Sequence, residues 1–182
     1  MNSALVLIDI QNEYFEGGKN TLHHTEEAAA AAGRILKFFR DGGSPVIHIR
    51  HVSLSPGAAA FLPDSVGAEI HSSVAPAGGE RVIVKHAPSA FLKTDLAEEL
   101  RRLNIKELVV CGMMSHMCVD TSVRAAQDYG LSVTLIEDAC TTKDLIWDDR
   151  VIPAETVHRT FMAALSGTFA TVVRAGDYLE KH

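Results

Sequence analysis

The sequence contains no apolar run near the roughly 20 residues that a bilayer-spanning helix needs, so a helical membrane protein is not expected. It has three cysteines with no framework spacing, which excludes a disulfide scaffold and fits a reducing, cytoplasmic setting. It also lacks a surplus of positive charge. Lys and Arg number 17 against 23 Asp and Glu, giving a net charge of -6, which argues against a nucleic-acid surface. The start, Met1-Asn2-Ser3-Ala4, has no basic stretch of the kind that opens a signal peptide. There is no internal repeat, linker or low-complexity segment. What remains is an ordinary globular composition, 47% hydrophobic and 22% charged over 182 residues, read as one domain spanning 1–182.

Short apolar runs alternate with longer helical patterns. Ala4 to Asp9 is continuous and apolar up to its last residue, as in a strand covered on both faces. Thr25 to about Arg40 reads as a helix closed by Gly42-Gly43. Further strands are expected at Pro45–Ile49, Arg81–Lys85, Glu107–Cys111, Ser132–Ile136 and Ala170–Val173. Helices are expected from a Thr94-Asp95 cap to about Leu103, from Val119 to about Tyr129, and from Pro153, placed in the first turn, to Ser166. This alternation predicts a three-layer α/β/α sandwich around a mostly parallel six-stranded sheet. Val52 to Gly79, rich in Pro, Gly, Ser and Ala, is either a lid or binding loop or a plain surface excursion.

Open parallel sheets bind ligands beyond the carboxyl ends of their strands. Asp9 ends the first strand, Lys85 ends the third, and Cys118 follows the fourth, in the loop entering a helix. Three reactive side-chain types are thereby delivered to one sheet edge. Taken singly, each has a plainer reading: a loop-capping Asp, a solvated Lys, a buried Cys acting as a small hydrophobe. Cys111, inside a strand, reads as such a hydrophobe, and Cys140 has no base near it in sequence. Cys118 differs in its place at a helix start. Comparable settings lower a thiol pKa from about 8.5 into the range of roughly 3.5–7.5. A neighbouring cation would add to that effect. Asp9 could accept the thiol proton and return it to a leaving amine, and helix-start amides could bind an oxyanion.

Three segments carry a family resemblance: Leu5-Val6-Leu7-Ile8-Asp9-Ile10-Gln11-Asn12, Val84-Lys85-His86-Ala87-Pro88-Ser89-Ala90-Phe91, and Cys111-Gly112-Met113-Met114-Ser115-His116-Met117-Cys118-Val119. With Ser122-Val123-Arg124-Ala125-Ala126 and Glu137-Asp138-Ala139-Cys140, they resemble the isochorismatase-like cysteine hydrolase superfamily over nearly the whole chain. Nicotinamidases and N-carbamoylsarcosine amidohydrolases belong to that group. The resemblance implies Asp9 as general acid/base, Lys85 as its cationic partner and Cys118 as nucleophile. It also implies a cis peptide at Met113-Met114, an oxyanion hole from the backbone amides of Met114 and Cys118, and a homo-oligomer.

Two departures qualify it. Nicotinamidases carry a metal-binding Asp and histidines after the second strand, whereas here the segment is Ile47-His48-Ile49-Arg50-His51, without Asp. On a strand His48 and His51 point to opposite faces, so no metal is expected, and no cofactor is called for. True isochorismatases do not use this cysteine, so Cys118 favours amide or carbamoyl hydrolysis of a small-molecule substrate. Hydrolysis of a vinyl ether of the isochorismate type is the alternative, and a redox thiol protein a third, although Cys111 and Cys118 lack Cys-x-x-Cys spacing. Phe15, Phe91 and His116 are candidate substrate contacts, each with a competing reading as plain core or surface. Arg50 is a candidate for binding a carboxylate, and Trp147 for closing a pocket or an oligomer contact.

Overall fold

The computed structural model describes residues 2–182. Six strands, β1 (Ser3–Ile8), β2 (Val46–His51), β3 (Arg81–Lys85), β4 (Glu107–Met113), β5 (Ser132–Thr141) and β8 (Thr171–Val173), form one sheet. A separate antiparallel pair, β6 (Leu145–Trp147) and β7 (Arg150–Ile152), projects beyond β5. The sheet order is β3-β2-β1-β4-β5-β8 and every pairing in it is parallel. Strand order therefore reverses direction of growth between β1 and β4, which opens a crevice at their carboxyl ends.

The helices α1 (Thr25–Asp41) and α5 (Ala175–Lys181) cover one face; α2 (Leu96–Arg102), α3 (Asp120–Asp128) and α4 (Ala154–Leu165) cover the other. The alternation along β1 shows why both faces must be apolar. Ala4, Val6 and Ile8 pack with Leu100, Val123 and Leu165, while Leu5 and Leu7 pack with Ala32, Ile35 and Phe39 of α1. The expected three-layer α/β/α sandwich and its six-stranded parallel sheet are the observed architecture. Among the described residues, no helix is long and apolar enough to cross a membrane.

Several boundaries differ from the sequence reading, each for a local reason. β1 stops at Ile8 because Asp9 turns out of the strand with φ 51°, its N–H held by the Ile49 carbonyl at 3.0 Å. β2 starts at Val46 and runs on to His51, since β3 supplies partners through Lys85. β4 and β5 also outrun their expected ends, rejoining at Met113 and Thr141 past an irregularity between Val110 and Gly112. β8 begins at Thr171, one residue after Ala170, which makes only an isolated bridge to Ser166. Of the Thr94-Asp95 pair, Thr94 Oγ1 takes the Leu96 N–H at 3.4 Å, while Asp95 pairs with Arg81 instead of capping α2. Pro153 sits at the cap of α4 and not in its first turn. The helix expected from Val119 begins at Asp120, preceded by a π-helical turn over Ser115–Val119.

The segment 52–79 is ordered by two short 3₁₀ turns, Val66–Ala68 and Ser72–Val74, and is pinned from the sheet side. Gln11 Nε2 donates to the carbonyls of His51 and Ala68 at 2.8 and 2.7 Å, and its Oε1 accepts the His51 N–H at 2.8 Å. Arg50 Nε donates to the same Ala68 carbonyl at 2.7 Å, so the side chain read as a carboxylate binder is engaged in fastening this loop.

Glu80, at the end of the loop, ties three elements together. Its carboxylate accepts from Arg40 of α1 at 2.6 and 2.8 Å, from His48 Nε2 at 2.8 Å and from the Ala77 N–H at 2.8 Å. These bonds, Arg40's above all, hold its pKa down at about 2, against an ordinary 4.5. A depressed carboxylate stabilises the fold above its unfolded pKa and loses that contribution as pH falls through the folded value. Glu80→Gln should therefore lower stability at pH 7 by up to about 3 kcal/mol. The gap to wild type should close between about pH 4.5 and pH 2, as followed by urea melts across that window. A gap constant with pH would show that the charge of Glu80 contributes nothing.

Candidate active site

Three elements converge at the crevice. β1 delivers Asp9 one residue past its end, β3 ends on Lys85, and the turn after β4 carries Cys118. The approach of β1 to β4 depends on Gly112: at φ 148°, a side chain there would collide with the Ile8 carbonyl. Lys85 Nζ lies 2.7 Å from Asp9 Oδ2 and 3.2 Å from Cys118 Sγ, and also donates to the Ala87 carbonyl at 3.0 Å. The Asp9 contact is an ion pair without good hydrogen-bond alignment, and neither oxygen of Asp9 finds another partner among the described residues. Asp9 and Lys85 are fully enclosed, while Cys118 keeps a 7% sliver of exposure.

The electrostatics follow from that enclosure. Burial raises the Asp9 pKa, with Lys85 pulling against it. Burial also opposes the charge on Lys85, but Asp9 and Cys118 more than offset it, and the ammonium is held above its usual range. Cys118 is pushed up to about 12, first by burial and next by the Asp9 charge, with Lys85 acting the other way. This corrects the expectation of a thiolate favoured by a helix start. Cys118 lies in the π-helical turn ahead of α3, and desolvation together with the Asp9 charge outweighs the cation. The resting group is the thiol.

The peptide Met113-Met114 is cis, as the resemblance implied. Met114 caps the π-helical turn, its carbonyl accepting the N–H groups of Met117 and Val119 at 3.1 and 3.3 Å. Ser115 in that turn is buried and its Oγ lies 2.8 Å from His158 Nδ1 of α4.

The other expected residues separate. Phe15 lines a cleft of about 430 Å³, its ring stacked on His71 at 3.5 Å. Phe91 is stacked on Tyr129 at 4.7 Å, within the core between the sheet and α2 and α3. His116 lies 2.5 Å by Nδ1 from Thr142 Oγ1, beside a second cleft of about 470 Å³ lined by Thr142, Cys140 and His158. Trp147 stands out on the β6–β7 hairpin, 77% exposed.

His48 and His51 do face opposite ways. His48 is held by Glu80 on the α1 side, and His51 Nδ1 lies 3.4 Å from Lys85 Nζ. Burial, with Lys85 adding to it, drops the His51 pKa to about 4, so its ring is neutral near pH 7. Among the described residues, no group of three or more His, Cys, Asp or Glu side chains is arranged to hold a metal ion.

Two residues of this neighbourhood escaped the sequence reading. Tyr14 is buried close enough to Asp9 and Cys118 for their charges to raise its pKa, after burial itself. Phe61 meets Tyr14 edge-on at 5.0 Å and His51 at 5.4 Å, closing an aromatic wall beside Lys85. Phe61 could not be singled out inside an aperiodic loop. Tyr14 lies two residues beyond the first motif, next to Phe15.

The Isochorismatase domain family model matches residues 3–177, and the chain belongs to that family of hydrolases. The Bacillus subtilis isochorismatase family protein YddQ is 48% identical over 180 residues, covering 99% of this chain and 100% of that protein. A streptothricin hydrolase of Streptomyces noursei is 34% identical over 149 residues, covering 78% of this chain and 55% of its own length. More distant relatives include Nicotinamidase 3 of Arabidopsis thaliana and the ureidoacrylate amidohydrolase RutB of Variovorax paradoxus, 28% and 26% identical. Among solved structures, an isochorismatase from Pseudomonas putida superposes with a TM-score of 0.91 at 40% identity, covering 97% of this chain and 89% of that one.

Removing the Asp9 charge should make Cys118 easier to ionise, because that charge is second only to burial in raising its pKa. Asp9→Asn should thus be alkylated by iodoacetamide faster than wild type at pH 8, with the rate profile displaced to lower pH. A profile unchanged or displaced upward would show that Asp9 does not set the state of the thiol.

Proposed function

We propose that this chain is a cysteine hydrolase of small amide, carbamoyl or related C–N substrates, acting through a covalent thioester. The observation that carries this reading is the enclosed contact of one ammonium with both a carboxylate and a thiol, Lys85 with Asp9 and Cys118. The relatives that bear amidohydrolase names support it.

The chemistry follows from the charge states. Asp9 lies against the Lys85 ammonium, and burial raises its pKa, which as a carboxylate makes it a better base than an ordinary one. As Cys118 Sγ attacks the carbonyl carbon, its proton passes to Asp9, and Lys85 stabilises the negative charge developing on sulfur. The carbonyl oxygen becomes an oxyanion held by the backbone amides of Met114 and Cys118, and losing one such donor typically costs about 2.7–4 kcal/mol. Asp9 then protonates the departing nitrogen, which leaves as ammonia or an amine, and a thioester remains on Sγ. Water attacks the thioester while Asp9 takes its proton. The acid is released, and the proton returns to Cys118. Charge is conserved at every stage: the thiol proton leaves with the nitrogen, and a proton taken from water by Asp9 restores Cys118. Phe15, Phe91 and His116 belong to this reading as substrate contacts, although Phe15 and His116 border two different clefts and Phe91 is stacked within the core.

Cys118→Ser and Cys118→Ala should fold as wild type yet lose at least about a thousandfold in turnover, since neither can form the thioester. The substrate would be found by screening small amides for ammonia release. Cys140→Ala, at a second buried cysteine, should retain most activity. Substantial turnover by either Cys118 variant, or equal loss at Cys140, would sink covalent catalysis at Cys118. Treatment with a chelator should leave turnover unchanged, and loss that is restored by a divalent metal would refute the metal-independent mechanism.

A further inference from the structure

Among the described residues two acidic side chains are buried, Asp9 and Glu13, and of these only Asp9 is paired with a cation. Glu13 is 4% exposed and its Oε1 has no hydrogen-bond partner. No Lys or Arg stands within ion-pair distance of its carboxylate among the described residues. Lys19, on the same cleft, gives its ammonium to the Ala59 carbonyl at 2.6 Å. A positively charged group reaching this carboxylate would supply the partner that Oε1 lacks.

The surroundings leave room for such a group. Glu13 lines the cleft of about 430 Å³ that also holds Phe15, Phe61 and His71. Its carboxylate lies over Gly67, where any side chain would collide with Oε2. The absent side chain at 67 is thus what lets the carboxylate take this place in the cleft wall. Phe15 and His71, stacked 5° from parallel, line the same cleft, and aromatic rings are groups that attract cations. A hard metal ion needs six or more oxygen ligands, and aromatic rings cannot supply them. A buried carboxylate next to aromatic faces suits an organic cation instead.

We propose that this cleft is a binding site for a small organic ammonium ion, paired with Glu13 and packed against Phe15. The site adjoins the proposed catalytic cluster without depending on it. Phe61 lines the cleft and packs on His51, whose Nδ1 lies 3.4 Å from Lys85 Nζ, so the two aromatic rings of Phe61 and His51 stand between site and cluster.

The test needs no catalytic substrate. The full chain is titrated calorimetrically at pH 7 with benzylammonium chloride and, separately, with benzyl alcohol, which matches it in ring and size but carries no charge. Benzylammonium should bind roughly tenfold or more tightly than the alcohol. Glu13→Gln, nearly isosteric, should remove that preference while leaving affinity for the alcohol unchanged, with circular dichroism showing that the variant is folded. Equal affinities in wild type, or a preference that survives Glu13→Gln, would overturn the proposal. Displacement of benzylammonium by calcium chloride at matched ionic strength would reassign the site to a metal and overturn it as well. Should Glu13→Gln fail to fold, Phe15→Leu decides: it should weaken benzylammonium several-fold, and unchanged binding would refute the site.

Discussion

The Asp9–Lys85 pair is the constraint around which the carboxyl edge of the sheet is organised. Neither side chain reaches water, and either one alone would be an uncompensated buried charge, which commonly costs several kcal/mol. The two residues come from strands separated by β2, so their meeting depends on the registers that align Ile8 with Ile49 and His51 with Lys85. A slip of one residue in β3 would turn Lys85 to the opposite face. The hydrophobic alternation that fills the core therefore also fixes the charge pair, and Cys118 meets a cation already positioned for it.

Much of this arrangement was legible because it rests on strand periodicity. The runs ending at Asp9, Lys85 and Cys111 are apolar and bounded by polar residues, and strand-helix alternation leaves few topologies in which their ends do not share an edge. The short elements were not legible. β6 and β7 have three residues each and turn through Asp148 and Asp149, both at positive φ, without the Asn-Gly or Asp-Gly pair that marks such a turn. Helix α5 is seven residues long, too short for its period to stand out. Its N-terminal Ala175 N–H is instead held by Asp138 Oδ1 at 2.7 Å, a contact from 37 residues away.

The ionisation of Cys118 is hidden from the sequence for a related reason. Sequence shows a cysteine ahead of a helix and suggests a depressed pKa. It does not show how deeply the loop is enclosed, nor that Asp9 bears on the sulfur as well as on Lys85. Among effects that act on one atom, the helix end and the cation are local and modest, while desolvation scales with everything packed around the site. His51, where no metal is expected from the sequence, has the ammonium of Lys85 as its neighbour, and its backbone is fixed by Gln11 from the first motif.

The stretch 9–15, which starts in that motif and runs past it, distributes its side chains among three tasks within seven residues. Asp9 faces the cation, and Tyr14 lies near both Asp9 and the thiol. Gln11 and Asn12 fasten the 52–79 segment, through His51 and Ala68 in one case and the Val66 carbonyl at 2.9 Å in the other. Glu13 and Phe15 line the cleft. The positive φ of Asp9 makes this possible, because it ends the two-residue alternation of β1 and lets a 3₁₀ turn over Asn12–Tyr14 fan successive side chains in different directions. Such packing also limits how the cleft and the thiol can communicate. Phe61, wedged between Tyr14 and His51, is the side chain through which a ligand in the cleft would press on the residues around Lys85. A ring held on two sides transmits displacement more readily than it absorbs it, since a close-packed interior leaves little free volume for adjustment.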